Sequence, residues 1–238
     1  MMRRWRAAAV VALVIVLLFT GATFLAHSQV KKAAAARPAL LLLTSLPLLF
    51  GEEFTLLQPG SPALARLRTG YEVKAIALAD RANLARHALL LMAQPRAQTA
   101  EALVDLDGWV RGGGRVLLLA DPALEWPSER FLGDRLRPPP GFADTGLLAH
   151  WGVALSPPIR RGPVVHFADG RQITFVSPGQ LSSTRCVLDG GATIARCSIG
   201  RGRVTIVADA DLLNPDESGA GAVANLDFVM AELAALER

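Results

Sequence analysis

Asp121, Asp209 and Asp211 are the residues whose type and spacing could do chemistry. Asp121 directly follows the apolar run Val116 to Ala120, Asp209 follows Val204 to Ala208, and Asp211 lies two residues further on. Such runs read as buried strands, and open α/β sheets bind ligands at the carboxyl ends of their strands. Asn214, Asp216 and Glu217 come soon after, so a hard cation such as Mg2+ or Ca2+ would find oxygen ligands here. A metal-dependent hydrolase built on Asp121, Asp209 and Asp211 needs the carboxylates within about 5 Å, sharing an ion at metal–oxygen distances of about 2.0–2.6 Å. The competing role is structural, because Asp and Asn routinely cap turns and helices.

Other reactive groups do not assemble into a set. Ser45 follows a strand, but Pro47 is close by and no Gly-x-Ser-x-Gly elbow is present. His27, His87, His150 and His166 are scattered, and none can be paired with a nucleophile. Gly112-Gly113-Gly114 suggests a phosphate loop, yet it follows a helix and opens a strand, the reverse of a dinucleotide fingerprint. A helix stop with φ > 0 explains it better, and no cofactor is expected. The two cysteines, Cys186 and Cys197, lie on opposite arms of a hairpin turning at Asp189-Gly190-Gly191. They face each other if the turn centres on Gly191-Ala192, whereas a one-residue slip sends them to opposite faces. A cross-strand disulfide and a pair of small buried hydrophobes both remain open.

The elements that must position these groups follow a βαβ grammar. Short apolar runs at Ala39 to Leu46, Ala88 to Met92 and Val116 to Ala120 read as strands buried on both faces, with Tyr71 to Leu78 a weaker one. Helices are expected from Ser61 to Arg68, Asp80 to His87 and Thr99 to Arg111. This alternation predicts a mainly parallel sheet flanked by helices. Asp121 to Pro158 breaks it with a proline- and glycine-rich loop carrying one helix, Asp144 to Trp151. Residues 162–199 then read as β-hairpins, Val204 to Ala208 as another strand, and Ala220 to Leu236 as a closing helix.

Composition narrows the class. The chain has 238 residues, 51% hydrophobic, enough for one sizeable domain. Its net charge of +4 is spread along the sequence with no aromatic-interleaved basic helix, so no nucleic-acid partner is expected. Ala7 to Ala26 carries no charge over 20 residues, about 30 Å of helix and enough to cross a bilayer. Residues 1–6 form a basic tail and residues 27–38 a juxtamembrane linker, leaving 39–238 as the exported α/β domain. Thr20-Gly21-Ala22 would suit a cleavable signal peptide, but the apolar run continues through Ala26 and favours an uncleaved anchor. Arg3, Arg4 and Arg6 argue for a cytoplasmic N-terminus; Lys31, Lys32 and Arg37 weaken that argument without reversing it.

Three blocks together carry a resemblance: LLLLTSLPL from Leu40, LDGWVRGGGRVLLLADP from Leu106 and IGRGRVTIVADADLLN from Ile199. With the anchor and the final helix, the chain resembles the GldG-like auxiliary proteins of ABC transport systems. The exported domain of that family is similar to the class I glutamine-amidotransferase fold. The resemblance implies a flavodoxin-like or amidotransferase-like sheet, permease or ATPase partners, and a bacterial inner-membrane protein with a periplasmic domain. Amidotransferases place a nucleophilic cysteine in a tight turn after a central strand, with a late His and Glu. Here Thr44-Ser45-Leu46-Pro47, Ala93-Gln94-Pro95 and Asp121-Pro122 follow the strands, and no catalytic residue carries over. The expectation is a non-enzymatic accessory protein whose loop Asp121 to Pro158 presents Trp126, Phe131 and Trp151 to a partner. A metal-dependent hydrolase and an envelope glycan-binding module are the alternatives.

Overall fold

The apolar runs form strands because both of their faces are covered. Leu40 to Leu43, Leu89 to Ala93 and Val116 to Leu119 are all buried. Alternate residues of each run enter two separate cores, one on each side of a sheet. The structure, a computed structural model, describes residues 37–51 and 60–238. The expected tail, the anchor at 7–26 and the linker up to residue 36 lie outside the described residues.

The elements run β1 (Ala39–Thr44), α1 (Pro62–Gly70), β2 (Glu72–Ala75), α2 (Arg81–Leu84), β3 (Leu89–Ala93), α3 (Ala100–Arg111) and β4 (Arg115–Leu119). There follow α4 (Leu147–His150), β5 (Val153–Ser156), β6 (Val164–Ala168), β7 (Arg171–Phe175), β8 (Gln180–Ser183), β9 (Val187–Asp189), β10 (Ile194–Ile199) and β11 (Gly202–Val207). After a 3-10 turn at Asp211–Leu213 come α5 (Pro215–Ser218) and α6 (Ala222–Glu237). A seven-stranded sheet has the order β2-β1-β3-β4-β11-β10-β9. Its first five strands are parallel, and β10 and β9 continue it antiparallel. The fold is therefore mixed α/β with a mainly parallel sheet.

Local signals set the helix ends. Ser61 caps α1 by accepting from the Leu64 N–H at 3.1 Å, and Pro62 occupies the first turn. Thr99 caps α3 in the same way through the Ala102 N–H. At the other end of α3, Gly113 takes φ +118° while Gly114 lies against the Trp109 ring, so the triple glycine is a helix stop. Gly202 starts β11 where a Cβ would overlap the carbonyl oxygens of Val110 and Gly114. That close approach seats β11 beside β4.

One core packs Leu64 and Leu67 of α1 and Phe228, Val229 and Leu233 of α6 against Leu40, Leu42, Leu91 and Leu117. The other packs Leu106 and Val110 of α3, with Leu148 and Trp151, against Leu41, Leu90, Val116 and Leu118. From Gly219 to Glu237 the last helix and the turn before it are apolar and long enough to cross a membrane by composition. Its buried residues instead lie under the sheet, so this is the apolarity of a core helix.

The structure corrects two local expectations. The segment read as an irregular loop to Pro158 contains a strand, β5, which pairs antiparallel with β8. The apolar run of β5, Val153-Ala154-Leu155, is short and β8 has only Leu181, so each strand is held by the other. The second correction is Trp151, offered as a surface contact: it is 1% exposed and belongs to the core. The hairpin register centres on Gly191-Ala192, with Ile194 opposite Asp189, and Cys186 and Cys197 form a disulfide.

Candidate functional site

Because β4 and β11 are adjacent and parallel, with Leu119 opposite Val207, the residues that follow them emerge side by side. This brings Asp121 to Asp209 and Asp211, and one oxygen from each carboxylate lies within 4.8 Å of the others. All three residues are 0% exposed. Backbone amides from three loops converge on them. Asp121 Oδ1 accepts from the Ala123 N–H at 2.8 Å and its Oδ2 from the Ala210 N–H at 2.9 Å. Asp209 Oδ2 accepts from Val176 and Ser177, and its Oδ1 from Leu212. Asp211 Oδ2 accepts from the Glu125 N–H at 2.8 Å and lies 3.2 Å from Ser177 Oγ. Asp211 Oδ1 is buried without a hydrogen-bond partner.

Burial dominates the electrostatics. It raises the Asp121 carboxyl, against the pull of the amides of Ala210 and Ala123. Burial, and then the Asp121 and Asp211 carboxylates, hold Asp209 well above the usual carboxylate range. Asp211 is pushed up to about 7 by burial and by the neighbouring Asp121. The convergence needed for a shared cation is therefore present. Access for a substrate is not, because none of the three residues reaches solvent. Of the oxygen-bearing residues that follow, Asn214 caps α5 by accepting from the Asp216 N–H and Asp216 is exposed.

The switch point of the sheet lies between β1 and β3, the other place where such folds put ligands. Gln94 stands there at the end of β3 with φ 43°, a left-handed conformation unusual for a residue with a side chain. Its buried amide clasps the Asp121 backbone: Oε1 accepts from the Asp121 N–H at 2.9 Å and Nε2 donates to the Asp121 carbonyl at 3.1 Å. Ser45 Oγ donates to the Gln94 carbonyl and Thr44 Oγ1 to that of Ala93. The polar groups of this crevice thus satisfy one another. Sequence reasoning passed over Gln94; a polar residue between a buried strand and Pro95 was the available signal.

The three aromatic candidates separate. Phe131 is 88% exposed, with Leu132 and Leu136 beside it in sequence at 79% and 67%. Trp126 is half-buried against the core that includes Phe228 and Leu233, and Trp151 is buried and donates its indole N–H to Asp107 at 2.9 Å. Asp107 also accepts from Arg111 at 2.7 Å and faces His150 at 3.3 Å. Burial raises the Asp107 carboxyl, but the Arg111 and Trp151 hydrogen bonds outweigh it and hold the group below its ordinary range. His166 meets the Gly190 carbonyl and the edge of Phe175, a packing role.

No family model matches the chain, and no curated protein matches it in sequence. Solved structures do. Cytoplasmic Protein STM1381 from Salmonella typhimurium LT2 is similar with TM-score 0.55 at 11% identity, over 83% of this chain and 99% of that one. The mmIFT52 N-terminal domain gives 0.52 at 14% identity, over 82% and 96%. Gan42B, a GH42 β-galactosidase from G. stearothermophilus, gives 0.51 at 14% identity, over 84% of this chain and 30% of that one. The chain spans only 30–38% of the glycoside hydrolases that it matches first. At such identities the likeness shows the fold alone.

Proposed function

We propose that this chain is a membrane-anchored, non-enzymatic accessory protein whose extracytoplasmic α/β domain binds a partner within an ABC-type transport system. The observation that carries the reading is the state of the sheet's carboxyl edge. The crevice positions are filled by buried groups bonded to each other, whereas the loop after β4 holds Phe131, Leu132 and Leu136 out in solvent. Apolar side chains exposed together are the usual mark of a contact site. The order β2-β1-β3-β4-β11 supports the finer description of the domain as flavodoxin-like or amidotransferase-like. In that description Gln94 takes the strained turn where an amidotransferase would carry its cysteine, a scaffold kept without its nucleophile.

The transport role rests on the sequence resemblance. Export is supported by the Cys186–Cys197 disulfide, a bond that persists in oxidising compartments. Burial of all three aspartates removes support from the hydrolase alternative. The glycoside hydrolase likeness brings no sugar site to this chain.

The test is affinity purification of the full chain from its native membranes, with the combined substitution F131A/L132A/L136A as comparison. An ABC permease or ATPase subunit should be recovered with the wild type and lost with the variant, at unchanged melting temperature. Equal recovery from both would refute the assignment of this surface, and recovery of neither subunit would refute the transport role.

A further inference from the structure

We propose that Asp121, Asp209 and Asp211 bind one divalent, oxygen-seeking cation of the Ca2+ class, which clamps together the loops leaving β4 and β11. The proposal does not depend on the partner-binding reading. Its first ground is geometry. Ca2+ takes oxygen ligands at about 2.3–2.6 Å, so two oxygens on opposite sides of the ion stand about 4.6–5.2 Å apart. The three carboxylates offer oxygens that all lie within 4.8 Å of one another. Mg2+ requires a tighter octahedron at about 2.0–2.1 Å and usually retains several waters, which a site of three fully buried carboxylates disfavours.

The second ground is an acceptor without a donor. Asp211 is 0% exposed and no N–H or O–H donor reaches its Oδ1, although every other oxygen of the three carboxylates accepts at least one N–H; its side chain instead meets the Asp121 carboxyl, another acceptor. A buried acceptor left in this way costs free energy unless something positive meets it. The amides do not exhaust the carboxylates either, since each oxygen has two acceptor sites.

The third ground is charge. Among the described residues, no ion pair reaches Asp121, Asp209 or Asp211. Elsewhere this protein does neutralise a buried acid: Glu232, with 3% of its side chain exposed, accepts from Nε and Nη2 of the Arg196 guanidinium. Three carboxylates in one dry site need the same service, and a divalent ion supplies it. The clamp would be structural. The ligands come from the ends of β4 and β11, and the amides they hold belong to the loops at 123–125, 176–177 and 210–212. The ion would therefore fix the root of the loop that carries Phe131.

The experiment uses the full chain in mild detergent, refolded with a chelator and then with Ca2+ or Mg2+ at neutral pH. At a hundredfold excess over its Kd, Ca2+ should raise the melting temperature by about 5–10 °C, with Mg2+ weaker. Metal analysis should find one ion per chain. D211N should remove the response, and D216N, an exposed neighbour, should retain it. Should D211N fail to fold, the wild-type response to Ca2+ decides alone. A wild-type melting temperature identical in chelator and in Ca2+ would overturn the proposal. Asp121 and Asp211 sharing a proton would give that result, with stability gained on acidification instead.

Discussion

Arg196 offers the sharpest test of how the closing helix is held. Its guanidinium reaches Glu232 of α6 at 2.5 and 3.1 Å, Asp189 of β9 at 2.9 Å and Asp169 of the β6–β7 turn at 2.8 Å. The partners differ in burial, with side-chain exposures of 3% for Glu232, 29% for Asp189 and 57% for Asp169. Among the described residues, R196M leaves the Glu232 carboxylate with Thr205 Oγ1, at 3.4 Å, as its one remaining donor. Stranding a buried partner costs about 3–5 kcal/mol. The lower figure applies here, because a cleft of about 350 Å³ lined by Arg196 and Glu232 lets water approach. D169A removes a partner already in water and should cost about 0–1 kcal/mol. In urea, with a slope of about 2 kcal/mol/M, R196M should lower the midpoint by about 1.5 M and D169A by less than about 0.5 M. The double variant R196M/E232L removes both charges and should recover most of the loss. Equal costs for R196M and D169A, or no recovery in the double variant, would refute the argument that the stranded carboxylate sets the magnitude.

Two further outcomes follow from named contacts. W151A should cost about 3–5 kcal/mol by emptying a fully buried site, whereas W151F should cost about 1–2 kcal/mol for the indole bond to Asp107, both read by denaturant unfolding. The folded Asp107 pKa is depressed, so its contribution is present above the ordinary carboxylate value and is lost as pH falls through the folded one. W151F should therefore flatten the acid limb of the stability profile. Tyr71, the single tyrosine of the chain, is 4% exposed and donates to Glu237 at 3.2 Å; burial, then that carboxylate, raises its pKa to about 12. Its contribution is full below pH 10 and lost between there and about 12. Ultraviolet titration of the folded protein should show phenolate forming near 12, and a midpoint near 10 without unfolding would contradict the burial.

How much was legible in the sequence divides by the range of the forces involved. Ser61 and Thr99 capping their helices, the Gly112 to Gly114 stop and the continuous leucine runs act within a few residues, so composition and spacing suffice to read them. The same signals place each aspartate at the end of a strand. They cannot say that β4, which ends at Leu119, and β11, which begins only at Gly202, lie side by side, and only that adjacency turns Asp121, Asp209 and Asp211 into one cluster. Trp151 and Phe131 look alike in a sequence, as aromatics in a proline-rich stretch. Packing decided between them, because Trp151, at the end of α4, enters the core that holds Leu106 and bonds Asp107, while Phe131 stays 88% exposed. Likewise β5, with only Val153-Ala154-Leu155, and β8, with only Leu181, have too short an apolar run to announce them and exist as strands through each other's hydrogen bonds. Local chemistry thus determined most of the elements, β5 and β8 being the exception. Which side chains meet, and therefore what the carboxyl edge can bind, was settled by contacts between residues far apart in the chain.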